Sequence, residues 1–358
     1  MKKIILVMVL LCGMNIFSME NVETKLKKIA FFSTRSSGDM FWGKFEDFMK
    51  EAGNDLGVEV KVYYANGSHL KMTKQAKEEI MNKNRADVLI VANFKRQAKI
   101  IVEMAEKSNM PIFIVNSGFQ KEDQMGNPRE KYRNWIGEML PDDEGAGYKL
   151  AKKLIEVKQG NNKSKRIEML GIGGNIADFA SVERVKGLKR AINESKNVKL
   201  KQVVYANWEK AEAKEKYEYM KKVRYPNLDV VWTASDGMSL GVAESSINLP
   251  TGGVDWSDEG IEAVKSEKIV ASIGGHYMEG AWALIVLYDY FNGKDFKEES
   301  LRMKTGMYVL DNNNIDEYMN KLNQKKWNEI DFTKFSKKLN KKLKKYDFSL
   351  EKVIKSIY

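Results

Sequence analysis

His69 and His276 are the only histidines and Cys12 the only cysteine in the chain, which narrows the available chemistry sharply. A zinc centre draws on several such ligands, and neither a His-Glu-x-x-His pair nor a second cysteine is present, so no metal is expected. No Gly-x-x-x-x-Gly-Lys-Ser/Thr loop exists to cradle phosphates. The run Gly171-Ile-Gly-Gly-Asn175 falls short of a dinucleotide fingerprint because Ile176 stands where the third glycine is required. Its glycines instead suit a backbone that a ligand or a helix approaches closely. With 49 acidic residues, paired carboxylates say little about glycosidase chemistry. Two histidines leave a Ser-His-Asp triad open, but no catalytic constellation assembles itself, and no cofactor is implied. What the chain does offer is binding chemistry. Aromatic rings (Phe41, Trp42, Trp208) and polar side chains (Asp39, Asn93, Asn116, Arg184, Ser235, Asp236, Asp255, His276) fall at or near the ends of apolar runs.

Those runs define the elements that must hold such residues. Lys28 to Ser33 is a short apolar strand leading into a Gly/Ser loop, and Phe41 to Leu56 has helical spacing that stops at Gly57. Strands over 58–64, 86–92 and 111–116 alternate with helices over 72–84 and 97–107. The same grammar restarts with a strand over 135–140 and a helix over 144–157. It continues with strands at 165–171, 203–206, 230–234, 252–256 and 269–273, separated by helices. Strands of nearly continuous apolar content between helices form parallel sheets covered on both faces. The fold class is therefore α/β, with two doubly wound, Rossmann-like domains joined by a multi-strand hinge. The first lobe is expected to take 28–137 plus about 277–308, and the second 138–276 plus about 309–330. Ala281 to Tyr290 is an apolar helix that needs a sheet to cover.

Residues 1–18 pair Lys2 and Lys3 with an apolar run ending at Ser18, the composition of an export signal. Leu11 before Cys12 is larger than the small residue a lipid-attachment site prefers. Beyond such a signal no cysteine remains, and stability must come from one or two large cores. The formal net charge of +11 is dispersed among glutamates on helix faces, which argues against a phosphate-tracking patch. Nucleic acid is not an expected partner. The lysine-dense segment from Lys334 to Lys345, within a basic tail at 331–358, reads as solvated packaging or as a surface for an acidic membrane or partner.

The order and spacing of several segments resemble the type I periplasmic binding proteins, the ribose-binding-protein-like receptors of sugar ABC importers. They are Ser37-Gly-Asp-Met-Phe-Trp42, Arg184-Val-Lys-Gly187, Ala234-Ser-Asp-Gly-Met-Ser-Leu-Gly241 and Gly253-Val-Asp-Trp-Ser-Asp-Glu-Gly260. Ser272 to Leu284 also resembles a subgroup of these receptors carrying a Gly-Gly-His motif. The resemblance implies a periplasmic, monomeric receptor that closes two lobes on a small carbohydrate-like ligand. Its partner is then the membrane permease of an ABC importer, or alternatively a membrane sensor kinase. An exported hydrolase is the reading from a different class.

In such a receptor, ligands sit beyond the carboxyl ends of the strands, aromatics cover sugar faces and charged or amide groups hold hydroxyls. The resemblance implies that Phe41 and Trp42 are a stacking pair and Trp208 the aromatic of the second domain. Each also fits core packing or a helix start. Asp255 matches the family's sugar-binding aspartate. Asp39 either contacts ligand or caps a helix, Asn93 and Asn116 either bind hydroxyls or make turns, and Asp236 competes with Ser235 for the ligand-facing place. Arg184 either forks to the ligand or makes a structural ion pair with Glu183 or a neighbouring strand end. His276 lies where the chain crosses the hinge. Asn116-Ser117 replaces the aspartate–arginine pair of ribose-binding relatives and Ser235 replaces an asparagine, so ribose itself is a poor expectation.

Overall fold

The computed structural model describes residues 25–246, 249–322 and 324–357. The expected signal over 1–18, with Cys12, lies outside them. Among the described residues, twelve strands form two six-stranded sheets. The first contains β1 (Lys28–Ser33), β2 (Glu59–Tyr64), β3 (Val88–Val91), β4 (Ile112–Val115), β5 (Trp135–Pro141) and β11 (Arg302–Thr305), in the order β11-β5-β4-β3-β1-β2. The second contains β6 (Ile167–Gly173), β7 (Val198–Tyr205), β8 (Val230–Thr233), β9 (Thr251–Asp255), β10 (Ala271–Gly274) and β12 (Tyr308–Asp311), in the order β12-β10-β9-β8-β6-β7. Only β12 runs antiparallel to its neighbour. The long helices between them are α1 (Trp42–Leu56), α2 (His69–Met81), α3 (Ala98–Lys107), α4 (Asp143–Gln159), α5 (Phe179–Asn193), α6 (Lys210–Tyr219), α7 (Asp236–Ser245), α8 (Asp258–Lys265) and α9 (Glu279–Phe291). Two doubly wound α/β sheets are what the hydrophobic patterning predicts.

Local chemistry sets the starts of the helices that face the site. The Asp39 carboxylate accepts the Phe41 and Trp42 amides at 3.1 and 3.0 Å and so opens α1. Ser235 caps α7 and Ser257 caps α8, each accepting a first-turn amide. Helices α4 and α5 pack so closely that a Cβ on Gly187 would stand 1.9 Å from the Glu144 carbonyl oxygen. That approach lets Arg184 reach Asp143.

The chain passes between sheets at 141–143, 274–279 and 305–308. The lobe change expected at 137/138 cuts through β5, which pairs with β4 and β11 and leaves the first sheet only after Pro141. The physical break is the Asp142 cap of α4, whose side chain accepts the Gly145 amide.

After β12 the chain forms α10 (Ile315–Leu322) and returns across the first lobe before ending in α11 (Leu350–Ile357). The basic tail is more than solvated packaging. Phe332, Phe335, Leu350 and Val353 are buried in the core that contains Phe48 and Trp282, and Phe348 stacks on Trp282 at 4.8 Å. Asp289 fixes this layer by accepting the Lys337 amide at 2.6 Å, the Lys338 amide at 3.1 Å and the Tyr346 hydroxyl at 2.9 Å. Helix α9 is therefore apolar almost all round because it is covered from two sides.

Candidate functional site

The carboxyl ends of β1, β3 and β4 face those of β6 to β9 across a cavity of about 170 Å³, with His276 at the crossing between lobes. Asn116 (φ 61°), Trp208 (φ 66°) and Asp255 (φ 144°) hold positive φ at or just beyond strand ends on this cavity. Asparagine takes such backbone readily, but Trp208 and Asp255 hold theirs only where the surroundings enforce it, as happens at binding sites.

Each lobe supplies one aromatic wall. In the first, Phe41 stacks on His276 with ring centres 4.5 Å apart and meets Trp42 edge-on at 5.2 Å. Trp42 is mostly sunk against Phe31 and Phe45. In the second, Trp208 lies flat against Gly174, where any Cβ would come within 2.2 Å of the indole. Its Nε1–H donates to Asp178 Oδ2 at 2.8 Å, and the Arg184 guanidinium lies 5.7 Å from its ring centre. Of the glycines in 171–174, Gly174 thus seats the indole, whereas Gly171 lies against Leu188 and Val203 and Gly173 against Tyr205.

Between the walls runs a charged network. Arg184 donates through Nε to Asp143 at 2.7 Å, and through Nη1 to the Ala234 carbonyl at 2.7 Å and Asp255 at 3.3 Å. Its Nη2 lies 3.2 Å from His276 Nε2. Arginine only donates, so Nε2 accepts and the imidazole proton sits on Nδ1. One of the five guanidinium N–H groups is left uncommitted. Burial, reinforced by the Arg184 charge, holds His276 well below the usual imidazole range, so the ring is neutral. Burial pushes Asp143 up to about 6 against the pull of Arg184. It also raises Asp255, again opposed by Arg184. Burial raises Glu279 behind them well above the ordinary carboxyl value, and that side chain meets Thr305.

Nine of the eleven sequence-derived candidates line the cavity: Asp39, Phe41, Trp42, Asn116, Arg184, Trp208, Ser235, Asp255 and His276. Asp39 both caps α1 and reaches the cavity. Arg184 pairs with Asp143 and Asp255 rather than with Glu183, whose carboxylate meets Lys186. Two candidates are elsewhere. Asn93 is a turn residue that donates to the Gly118 carbonyl at 2.8 Å and accepts the Ala98 amide at 3.1 Å. Its neighbours Ala92 and Phe94 line the cavity instead. Asp236 is fully buried, accepting from the Ser257 amide at 3.0 Å and from the Ser272 hydroxyl at 2.7 Å. It braces the strand ends from behind.

Sequence reasoning passed over Thr34, Arg35, Met40 and Asp178, all on the cavity. It also passed over Gly237-Met-Ser-Leu-Gly241, which has the letters of a nucleophile elbow. Ser239 lies inside α7, fully buried, and donates to the Asp236 carbonyl at 2.8 Å, so it is not displayed on a strand-to-helix turn.

The geometry has counterparts among known proteins. The chain is 23% identical over 221 residues to a xylitol-binding protein from Mycolicibacterium smegmatis, covering 60% of this chain and 58% of that one. It superposes on a periplasmic sugar-binding protein from Pseudomonas fluorescens with a TM-score of 0.78 at 28% identity, covering 87% of this chain and 94% of that one. It also superposes on a solute-binding protein of an ABC transporter from Actinobacillus succinogenes, solved with bound D-allose, with a TM-score of 0.70 at 19% identity. That match covers 82% of this chain and all of the other. Residues 29–295 match the family described as periplasmic binding protein domain, and with two sheets facing across a polar, aromatic-walled cavity the chain belongs to that family.

Proposed function

We propose that the protein captures one small, hydroxyl-rich carbohydrate between its lobes, outside the cytoplasm, and delivers it to the permease of an ABC importer. The observation that carries this reading is the pairing of walls and rim. Phe41 and Trp208 present rings from opposite lobes, while Asp39, Asn116 and Asp255 edge the cavity between them. Ring faces suit the C–H surfaces of a sugar, and carboxylates and amides suit its hydroxyls. A cavity of about 170 Å³ has room for a single ring, since one of about 150 Å³ takes benzene. That favours a monosaccharide or polyol over an oligosaccharide. The relatives that bind xylitol or D-allose support this class, and the transporter context of the latter supports import over sensing. The composition of residues 1–18, that of an export signal, fits this location. Among the described residues no helix is long and apolar enough to cross a membrane.

A thermal-shift screen over neutral sugars and polyols tests the reading. At least one should raise the melting temperature, because only the native state binds. Trp208→Ala combined with Asp255→Ala should abolish that shift and weaken calorimetric affinity at least a hundredfold with the circular dichroism unchanged. Unaltered affinity in the double variant would remove the site.

A further inference from the structure

One carboxylate in the cavity has a role that the aromatic walls and the Arg184 network leave unexplained. Asp178 occupies the N-cap position of α5, where an aspartate ordinarily accepts a first-turn amide, yet its side chain makes no capping bond. Oδ2 is turned to the Trp208 indole instead. Oδ1 has no well-aligned hydrogen-bond partner, the Lys95 backbone amide only approaching the carboxylate, although the residue is only 6% exposed and lines the cavity. Buried carboxylate oxygens are normally satisfied, so an orphan that has given up a cap calls for a donor from elsewhere.

The surroundings say what kind of donor. Asp39, Asp178 and Asp255 all reach the cavity, whereas its two cations are occupied. Arg35 is paired with Glu209 at 3.0 Å, and Arg184 has a single N–H left. Among the charged groups of the cavity, acceptors therefore outnumber free donors, and the remaining donors are neutral ones such as the Asn116 amide and the Thr34 and Ser117 hydroxyls. A hydroxyl or ammonium group is welcome there, and a carboxylate or phosphate is not.

We propose that Asp178 is a specificity-determining residue whose Oδ1 accepts a hydrogen bond from one hydroxyl or amino group of the sugar lying on Trp208. This rests on the carbohydrate reading above. Asp178 thereby joins the platform under the ring to the recognition of one substituent, and the site selects neutral or amino sugars over uronates and sugar phosphates. The competing role is purely structural: Asp178 positions the indole, or meets the backbone amide of Lys95, which acts on the same carboxylate from the first lobe.

Calorimetry with the full chain separates these roles. The wild type is titrated with D-allose, D-galactose, L-arabinose, xylitol and myo-inositol, then with monodeoxy and uronate derivatives of whichever binds most tightly. Removing the hydroxyl read by Asp178 should cost about ten- to a hundredfold, the range for a hydrogen bond to a charged group. Asp178→Ala should lose a similar factor for the parent sugar and no more for that deoxy derivative. Asp178→Asn, which can keep the indole bond through its carbonyl oxygen, should narrow the preference over the uronate. Trp208→Phe, which removes both ring area and the N–H that holds Asp178 Oδ2, should weaken the whole series and blunt the deoxy profile. An Asp178→Ala profile parallel to that of the wild type would overturn the proposal while leaving the carbohydrate reading standing. Failure of the wild type to bind any of the five compounds would overturn both.

Discussion

Trp208 can lie where it does only because residue 174 has no side chain. A Cβ there would stand 2.2 Å from Cε2, far inside contact distance, so the ring must move rather than the backbone yield. The indole is half-buried, so its displacement costs little packing and chiefly misplaces the stacking face. Gly174→Ala should therefore lower sugar affinity at least tenfold in calorimetry while the urea midpoint changes little. Unchanged affinity would mean that the ring is not the platform. The same scale shows what sequence can tell about a site. The place of Trp208 and Asp255 on the cavity was legible because the family resemblance singles out an aromatic and an acid just after those apolar runs. Asn93 was not, because an asparagine at a strand end serves a turn as well as a ligand, and the cavity begins one residue to either side. Asp178 was hidden by its position, since an aspartate before a helix reads as a cap.

Among the elements, β1 to β10 were legible in outline because buried parallel strands are short apolar runs set between amphipathic helices. Strand β11 was not. Arg302-Met-Lys-Thr305 is an edge strand with Arg302 and Lys304 exposed, and nothing in its composition marks it. Its pairing with β5 has a measurable consequence. Register places Arg302 opposite Glu138, and the guanidinium reaches the buried carboxylate at 2.7 Å, while Glu138 Oε2 finds no partner. Burial pushes Glu138 up to about 7 against the pull of Arg302. An unfolded glutamate titrates near ~4.3, so between roughly pH 4.5 and 7 the native chain keeps a proton that the unfolded chain has released. Stability from this group is fully present at low pH and is lost as pH rises through 7. Glu138→Gln keeps an acceptor for Arg302 without the titration. The variant should match the wild type near pH 4.5 and exceed it by about 2–3 kcal/mol at pH 8 in urea unfolding. A constant offset across that window would refute the assignment.

For the whole molecule, three crossings between the sheets define a hinge that the sequence anticipated, but the layer over it was unforeseen. The segment after β12 touches both sides. Tyr318 approaches Trp256 at 5.6 Å, and Trp327 stacks on Tyr277 at 5.2 Å. Under it Lys44 of α1 pairs with Asp258 of α8 at 2.6 Å and donates to the Trp256 carbonyl at 2.9 Å. Trp256 and Tyr277 directly follow Asp255 and His276, so the hinge-side packing and the cavity share backbone. Against this well-buried back, the front of the cleft is lightly fastened. Arg35 meets Glu209 across the mouth with side chains 29% and 52% exposed, and Gln120 donates to the Ala177 carbonyl at 3.3 Å. Exposed pairs of this kind contribute ~0–1 kcal/mol each and less as salt rises. Closure must then draw most of its free energy from the sugar itself, which binds the closed arrangement better than the open one. Arg35→Ala should accordingly weaken binding by no more than about fivefold, with the difference shrinking toward 0.5 M salt, whereas Trp208→Ala removes the main attraction. A loss for Arg35→Ala as large as that for Trp208→Ala, unaffected by salt, would mean that the lobes close on each other and the sugar only fills the space between them.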